Sequence, residues 1–172
     1  MNYIKSKLAA GAVAAGLGVA AVMSPQGVTE LQKHEGYRTT AYADALHGWK
    51  VPTICYGSTK DVYRGQVATK AECNARLKAD VAQHCALVDR ALKGTNIALT
   101  QGEVDAYCSF AFNTGYFQYQ RNGKVTTMYR ELLNGNHRAA CDGLLLYTAG
   151  SDKAPGLKPR RKAEHQLCVS QL

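Results

Sequence analysis

The stretch from Thr69 to Leu92 limits the possible folds more than any other. Cys73, Leu77, Val81, Cys85, Val88 and Leu92 recur at spacings of three and four, which places them on one face of a helix. Thr69 and Glu72 have the spacing of a capping box at its start, and Gly94 follows as a terminator. Such a helix is roughly 36 Å long. It is long enough to act as the spine of a small domain, with the other elements packed along its apolar face. Cys73 and Cys85 share that face but lie roughly 18 Å apart along the axis, too far to bond each other. Each therefore needs a partner elsewhere in the chain.

The cysteines are at 55, 73, 85, 108, 141 and 168. No pair forms CxxC, and no Cys/His spacing suits zinc, so no metal site and no cofactor is expected. An even number without metal spacing predicts disulfides and an oxidising compartment. Six cysteines allow many pairings, and the sequence does not select among them. The expected set is Cys55–Cys73 joining strand to helix, Cys85–Cys108 joining the long helix to its successor, and Cys141–Cys168 on adjacent C-terminal helices. The 172 residues suit one domain with two lobes, expected to be monomeric, and a short appendage; 46% are hydrophobic, enough for a core. The net charge of +8 favours anionic partners such as a nucleic acid, an anionic lipid surface or an acidic wall polymer. Nucleic acid is the poorest of these, because the basic residues are dispersed and the cysteines point to secretion.

More helices follow from periodicity and caps. Thr29 and Gln32 have capping spacing, so a short helix should begin there, carry Glu35 near its C-terminal end and stop at Gly36. Thr100 and Glu103 open a helix running to Asn113, with Val104, Cys108 and Ala111 on its inner face. Val125–Leu133 and His137–Tyr147 read as a helical pair split by Asn134-Gly135. The inner stripes of that pair are Val125, Met128, Leu132 and Leu133 on one side and Ala140, Leu144 and Leu145 on the other. Residues 154–171 form a last, basic helix; Lys158, Arg160, Arg161 and Lys162 read first as a solvated face, and second as contacts to wall phosphates or carboxylates. Residues 37–65, crowded with Gly, Tyr and Thr, read as short strands and turns. The fold class is α+β, mostly α.

The N-terminus carries Lys5 and Lys7, then an uncharged run from Leu8 to Met23 with 7 Ala and 3 Gly among 16 residues. At roughly 24 Å it falls short of the hydrocarbon core of about 30 Å. The lysines precede the run, as positive-inside orientation requires. One reading is a cleavable signal peptide with a small-residue site near Ala20 or Ala21. The other is an uncleaved, weakly apolar signal anchor. The division is then 1–28 for the anchor and 29–172 for the folded domain.

The chemistry centres on Glu35 and Asp44, nine positions apart. One carboxyl at a helix end and another on a hairpin can flank a single bond, as glycoside hydrolysis requires. Spacing alone is weak support. The aromatic residues Tyr37, Tyr42, Trp49, Tyr56 and Tyr63 gather in the same region and could stack on sugars or fill a small core. Trp49, the only tryptophan, is a candidate sugar contact. Asn113 is a candidate substrate or positioning residue, although Asn before a Gly-containing turn is more often a helix stop.

Three runs resemble the phage-type lysozyme (endolysin) family: HEGYRTTAYAD with PTICYGST, then SFAFNTG, then GLKPRR. They occur in the family's order, and the likeness extends from about Thr29 to the C-terminus. It implies a lysozyme-like fold with a small β-hairpin lobe, a long connecting helix and a helical C-terminal lobe. It also implies cleavage of peptidoglycan between N-acetylmuramic acid and N-acetylglucosamine, leading to host cell lysis. By the same resemblance Glu35 is the general acid, Asp44 stabilises developing positive charge, Thr53 holds the attacking water, and the mechanism is inverting. Trp49, Tyr56 and Asn113 are the expected substrate contacts. One departure stands out: eight residues separate Asp44 from Thr53 where the family has about five, which should lengthen the hairpin around Leu46–Lys50. The N-terminus resembles the releasable signal anchors of some of these enzymes, which implies location in the host inner membrane and then the periplasm. The competing functions are a non-catalytic, membrane-anchored peptidoglycan-binding protein and a lytic transglycosylase.

Overall fold

The computed structural model describes residues 21–148 and 155–172. The anchor is expected over residues 1–28, of which the first twenty lie outside that range. Six α-helices and one hairpin make up the described fold: α1 (Pro25–His34), β1 (Arg38–Asp44), β2 (Gly48–Cys55), α2 (Lys70–Leu92), α3 (Gln101–Thr114), α4 (Thr127–Leu133), α5 (His137–Gly143) and α6 (Leu157–Val169). A single 3-10 turn, Leu144–Leu146, extends α5. The class is α+β and mostly helical, as expected.

α2 forms as its pattern predicts. The Thr69 side chain accepts from the Glu72 amide, and the Glu72 carboxylate reaches back to the Thr69 amide. All six residues of the predicted stripe are buried, with Ala91 beside them. α3 has the same reciprocal cap at Thr100 and Glu103. It departs from expectation in its surroundings. Every residue from Gly102 to Phe110 is buried, and Ala111 with them, so α3 is a central helix rather than a one-sided one. α1, α2 and α6 all pack against it. Gly102 permits the approach of α6: a Cβ there would lie 2.2 Å from the Leu167 carbonyl oxygen.

α1 begins earlier than its capping signal suggested. Ser24 is the N-cap, accepting from the Gly27 amide, and Pro25 takes the first helical position, where its missing N–H costs nothing. Thr29 lies inside the helix and donates to the Pro25 carbonyl. The buried Asp105 of α3 fastens this end, accepting from the Ser24 amide (2.7 Å) and hydroxyl (2.5 Å). Ala21 and Met23 are buried in the core, and the Ala21 amide donates to Asp89 of α2.

The expected stripes of the C-terminal pair are half right. Met128, Leu132, Ala140 and Leu144 are buried, whereas Val125, Leu133 and Leu145 are exposed. α4 starts only at Thr127, so Val125 precedes the helix, and Leu133 is its last residue. All three expected disulfides are present: Cys55–Cys73, Cys85–Cys108 and Cys141–Cys168.

Candidate active site

Glu35 is placed by three elements. It caps α1 in an extended conformation, so the chain leaves the helix there and turns into β1. Its Oε1 accepts from Arg160 Nη1 of α6 at 2.5 Å. A Cβ on Gly57, just past β2, would sit 4.0 Å from its Oε2. Gly57 has φ +93, a conformation that favours glycine, so the backbone there stays close to the carboxyl without crowding it. Glu35 is about one-fifth exposed, enough to meet a ligand.

Asp44 ends β1 at the hairpin turn. Its Oδ1 accepts from the Leu46 amide (2.9 Å), the His47 amide (2.8 Å) and His47 Nδ1 (2.8 Å). The His47 amide, then the His47 imidazole and the Leu46 amide, hold this carboxyl below the usual carboxylate range. Asp44 is therefore ionised near neutrality, with Oδ2 outside that set of bonds.

Thr53 pairs with Tyr42, and Pro52 with Ala43, yet Asp44 pairs with Gly48. The extra residues thus leave a tight turn at 45–47 and bulge out of β2 as Trp49, Lys50 and Val51. The added length lies within the hairpin, in β2 rather than in the turn, which Asp44 caps from within. Asp44 lies two positions beyond Tyr42 on β1, and the register irregularity between Ala43 and Asp44 sets its pairing apart from the Tyr42–Thr53 pair. Thr53 is buried, and its hydroxyl donates to the Val51 carbonyl at 3.2 Å. Tyr42 lies beside Arg38, whose guanidinium is 4.7 Å from its ring centroid. Burial raises its phenol, the Arg38 guanidinium opposes this, and the Asp44 and Glu35 carboxylates add to it. Both acids therefore act on one side chain.

The other candidates are spread more widely. Trp49 rides on the bulge, 41% exposed, with the Arg64 guanidinium 5.0 Å from its ring centroid. Tyr56 is buried beneath Tyr37, the ring centroids 4.9 Å apart. Asn113, near the end of α3, is exposed and accepts from Arg161 through its side-chain oxygen. Arg160 and Arg161 correct the solvated-face reading of α6: they are 4% and 1% exposed, and only Lys158 and Lys162 of that basic set face solvent. The GLKPRR likeness marks these positions in the sequence but not their burial. Among the described residues no group of three or more His, Cys, Asp or Glu side chains converges as a metal site would.

A helical body with one small hairpin, a long disulfide-tied helix and an acid at their junction defines a lysozyme-like protein. An endolysin from Escherichia coli O157:H7 phage FAHEc1 superposes with a TM-score of 0.71 at 27% identity, covering 88% of this chain and 95% of that one. Among sequences, a SAR-endolysin of Bacteriophage PS119 is 31% identical over 98% of this chain and 93% of its own length. Another, from Enterobacteria phage PA-2, is 33% identical over 78% of this chain and 77% of its own. Residues 32–164 match the phage lysozyme family. The chain belongs to that family.

Proposed function

We propose that this protein is a peptidoglycan-degrading endolysin that hydrolyses the β-1,4 bond between N-acetylmuramic acid and N-acetylglucosamine, with Glu35 as general acid. The observation that carries the assignment is the pairing of environments. Glu35 is fixed at the junction of α1 and β1 by Arg160, while Asp44, at the hairpin turn that follows, is kept ionised by three donors. Two carboxyls with different surroundings can divide the acid and anion roles of glycoside cleavage. Glu35 protonates the leaving oxygen. Asp44 stabilises the oxocarbenium-like charge, and its Oδ2 with Thr53 positions water on the opposite ring face. The reaction inverts the anomeric centre. Trp49 offers an exposed ring to a sugar face, Asn113 its amide N–H groups, and Tyr56 backs Tyr37 in the wall of the hairpin lobe.

Glu35→Gln keeps the shape and removes the proton. Release of new reducing ends from purified peptidoglycan should fall at least about a hundredfold, with the melting temperature close to wild type. Turnover persisting in a folded Glu35→Gln protein would sink the assignment. An anhydro product in place of a reducing end would make the enzyme a lytic transglycosylase.

The second part of the proposal concerns location. Residues 8–23 act as a signal anchor in the inner membrane of the bacterial host, and the enzyme passes to the periplasm when that membrane is de-energised. The lysines ahead of the run and the SAR-endolysin names of its relatives support this. No helix among the described residues is long and apolar enough to cross a membrane. Fractionation of expressing cells should find the protein with membranes before the potential is collapsed and soluble in the periplasm afterwards, at unchanged intact mass. A shorter mass would mean a cleaved signal peptide instead.

A further inference from the structure

α6 brings three charged side chains into the interior within five residues. Arg160, Arg161 and Glu164 are 4%, 1% and 1% exposed. With Glu35 they form an alternating chain. Arg160 Nη1 donates to Glu35 (2.5 Å), its Nε to Glu164 Oε1 (3.1 Å), and its Nη2 to the Ser109 carbonyl (3.1 Å) and hydroxyl (3.4 Å). Glu164 Oε1 also accepts from the Ser109 hydroxyl (2.8 Å), and Oε2 from Arg161 Nη1. Arg161 donates onward to Asn113 and to the Tyr147 carbonyl, and its guanidinium lies 4.8 Å from the Phe110 ring centroid.

An arginine touching a general acid poses a chemical conflict. The bond orients the carboxyl, but a nearby positive charge favours the ionised form, and an acid catalyst must arrive protonated. We infer that Glu164 is a positioning residue that resolves this conflict: its buried carboxylate takes up the charge of Arg160, so the guanidinium orients Glu35 without holding it ionised. The inference rests on Glu35 being the general acid.

The other groups facing this cluster do not supply that compensation. From α1, Glu30 engages Lys33 (2.6 Å) and lies 3.6 Å from His34. His34 itself is pushed down by burial and by Arg160, so it is neutral at pH 7. From β1, Asp44 is committed to the hairpin turn and Tyr42 is un-ionised. α3 contributes only uncharged groups: Ser109, Asn113 and the Phe110 ring. Arg161, on the far side of Glu164, competes with Arg160 for the same carboxylate.

The test is the pH dependence of kcat/KM on purified peptidoglycan, measured on the full chain with thermal melting alongside. In Glu164→Gln the alkaline limb should move to lower pH by roughly half to one unit. Glu164→Asp, which keeps the charge, should return it towards the wild-type position. Arg161→Gln should move the limb the other way, since Arg160 then has Glu164 to itself. Should Glu164→Gln fail to fold because two arginines are left with one carboxylate, the double variant Arg161→Gln/Glu164→Gln removes the excess charge and should show a smaller downward move relative to wild type and a clear one relative to Arg161→Gln alone. A limb that stays in place in a folded glutamine variant overturns the inference, as does failure of both glutamine variants to fold, which would make Glu164 a structural tie only. These results are separable from failure of the general-acid assignment, which Glu35→Gln alone decides.

Discussion

At the residue scale, the charged groups are divided between those the hairpin holds and those the helical body holds. Asp44 belongs to the first set, and its donors are local: two amides and one imidazole within three residues. Its carboxyl is depressed, so it stays ionised to lower pH than an ordinary aspartate, and activity that depends on the anion should persist correspondingly further into acid. His47→Ala removes the imidazole but keeps both amide donors. The acid limb of kcat/KM should therefore rise by less than about one pH unit, without an equal loss at pH 7. A limb unmoved in that variant would assign the acid side of the profile to another group. The Asp44 cap lies within a short stretch of chain, so it could be read from DALH once a turn was suspected. The burial of Arg160 and Arg161 could not, because their partners Glu35, Ser109 and Asn113 come from distant segments.

At the element scale, α1 matters most, because it carries Glu35 at its C-terminal end and is docked at its N-terminal end. Gly27 faces Asp105 so closely that a Cβ would lie 2.5 Å from the Asp105 carboxyl carbon. That carboxylate cannot swing away freely, since Ser24 and Gln101 both hold it. Gly27→Ala should cost about 1–3 kcal/mol and shift α1, with lysis falling further than stability alone explains. Gly36→Ala, where nothing lies within 4 Å, serves as the comparison and should melt near wild type. Equal melting of the two variants would mean that α1 is not seated as described. Thr29 and Gln32 mimic a cap inside α1, so the capping pattern alone places its start too late. Ser24 prevails because a tertiary partner, Asp105, secures it. α3 shows a related effect. Glu103, Asp105 and Ser109 look like a polar face, yet each is buried against His137, Ser24 or Glu164. A buried polar group is tolerated when it is hydrogen-bonded, and no local pattern reveals where the partner will come from.

At the scale of the whole molecule, three disulfides join the elements in series: β2 to α2, α2 to α3, and α5 to α6. The first is anchored at Cys55, two residues past Thr53, so the strand carrying the proposed water-holding residue is tied directly to the long helix. Each loop closed is short, with sequence separations of 18, 23 and 27, and such links typically stabilise by about 2–4 kcal/mol each. The pairs match the expected set, which the sequence did not select over the other pairings; the fold does so by packing the paired elements side by side. The sequence by itself determined the helices with strong periodicity and reciprocal caps, the oxidising chemistry, and the two acids with their family resemblance, since all of these depend on groups close along the chain. Only the tertiary structure decided the burial of α3, the bulge that absorbs the residues before Thr53, and the Glu35–Arg160–Glu164–Arg161 chain. Those depend on which surfaces meet, and a charge becomes an interior group only when distant segments supply its counter-charge and its hydrogen bonds.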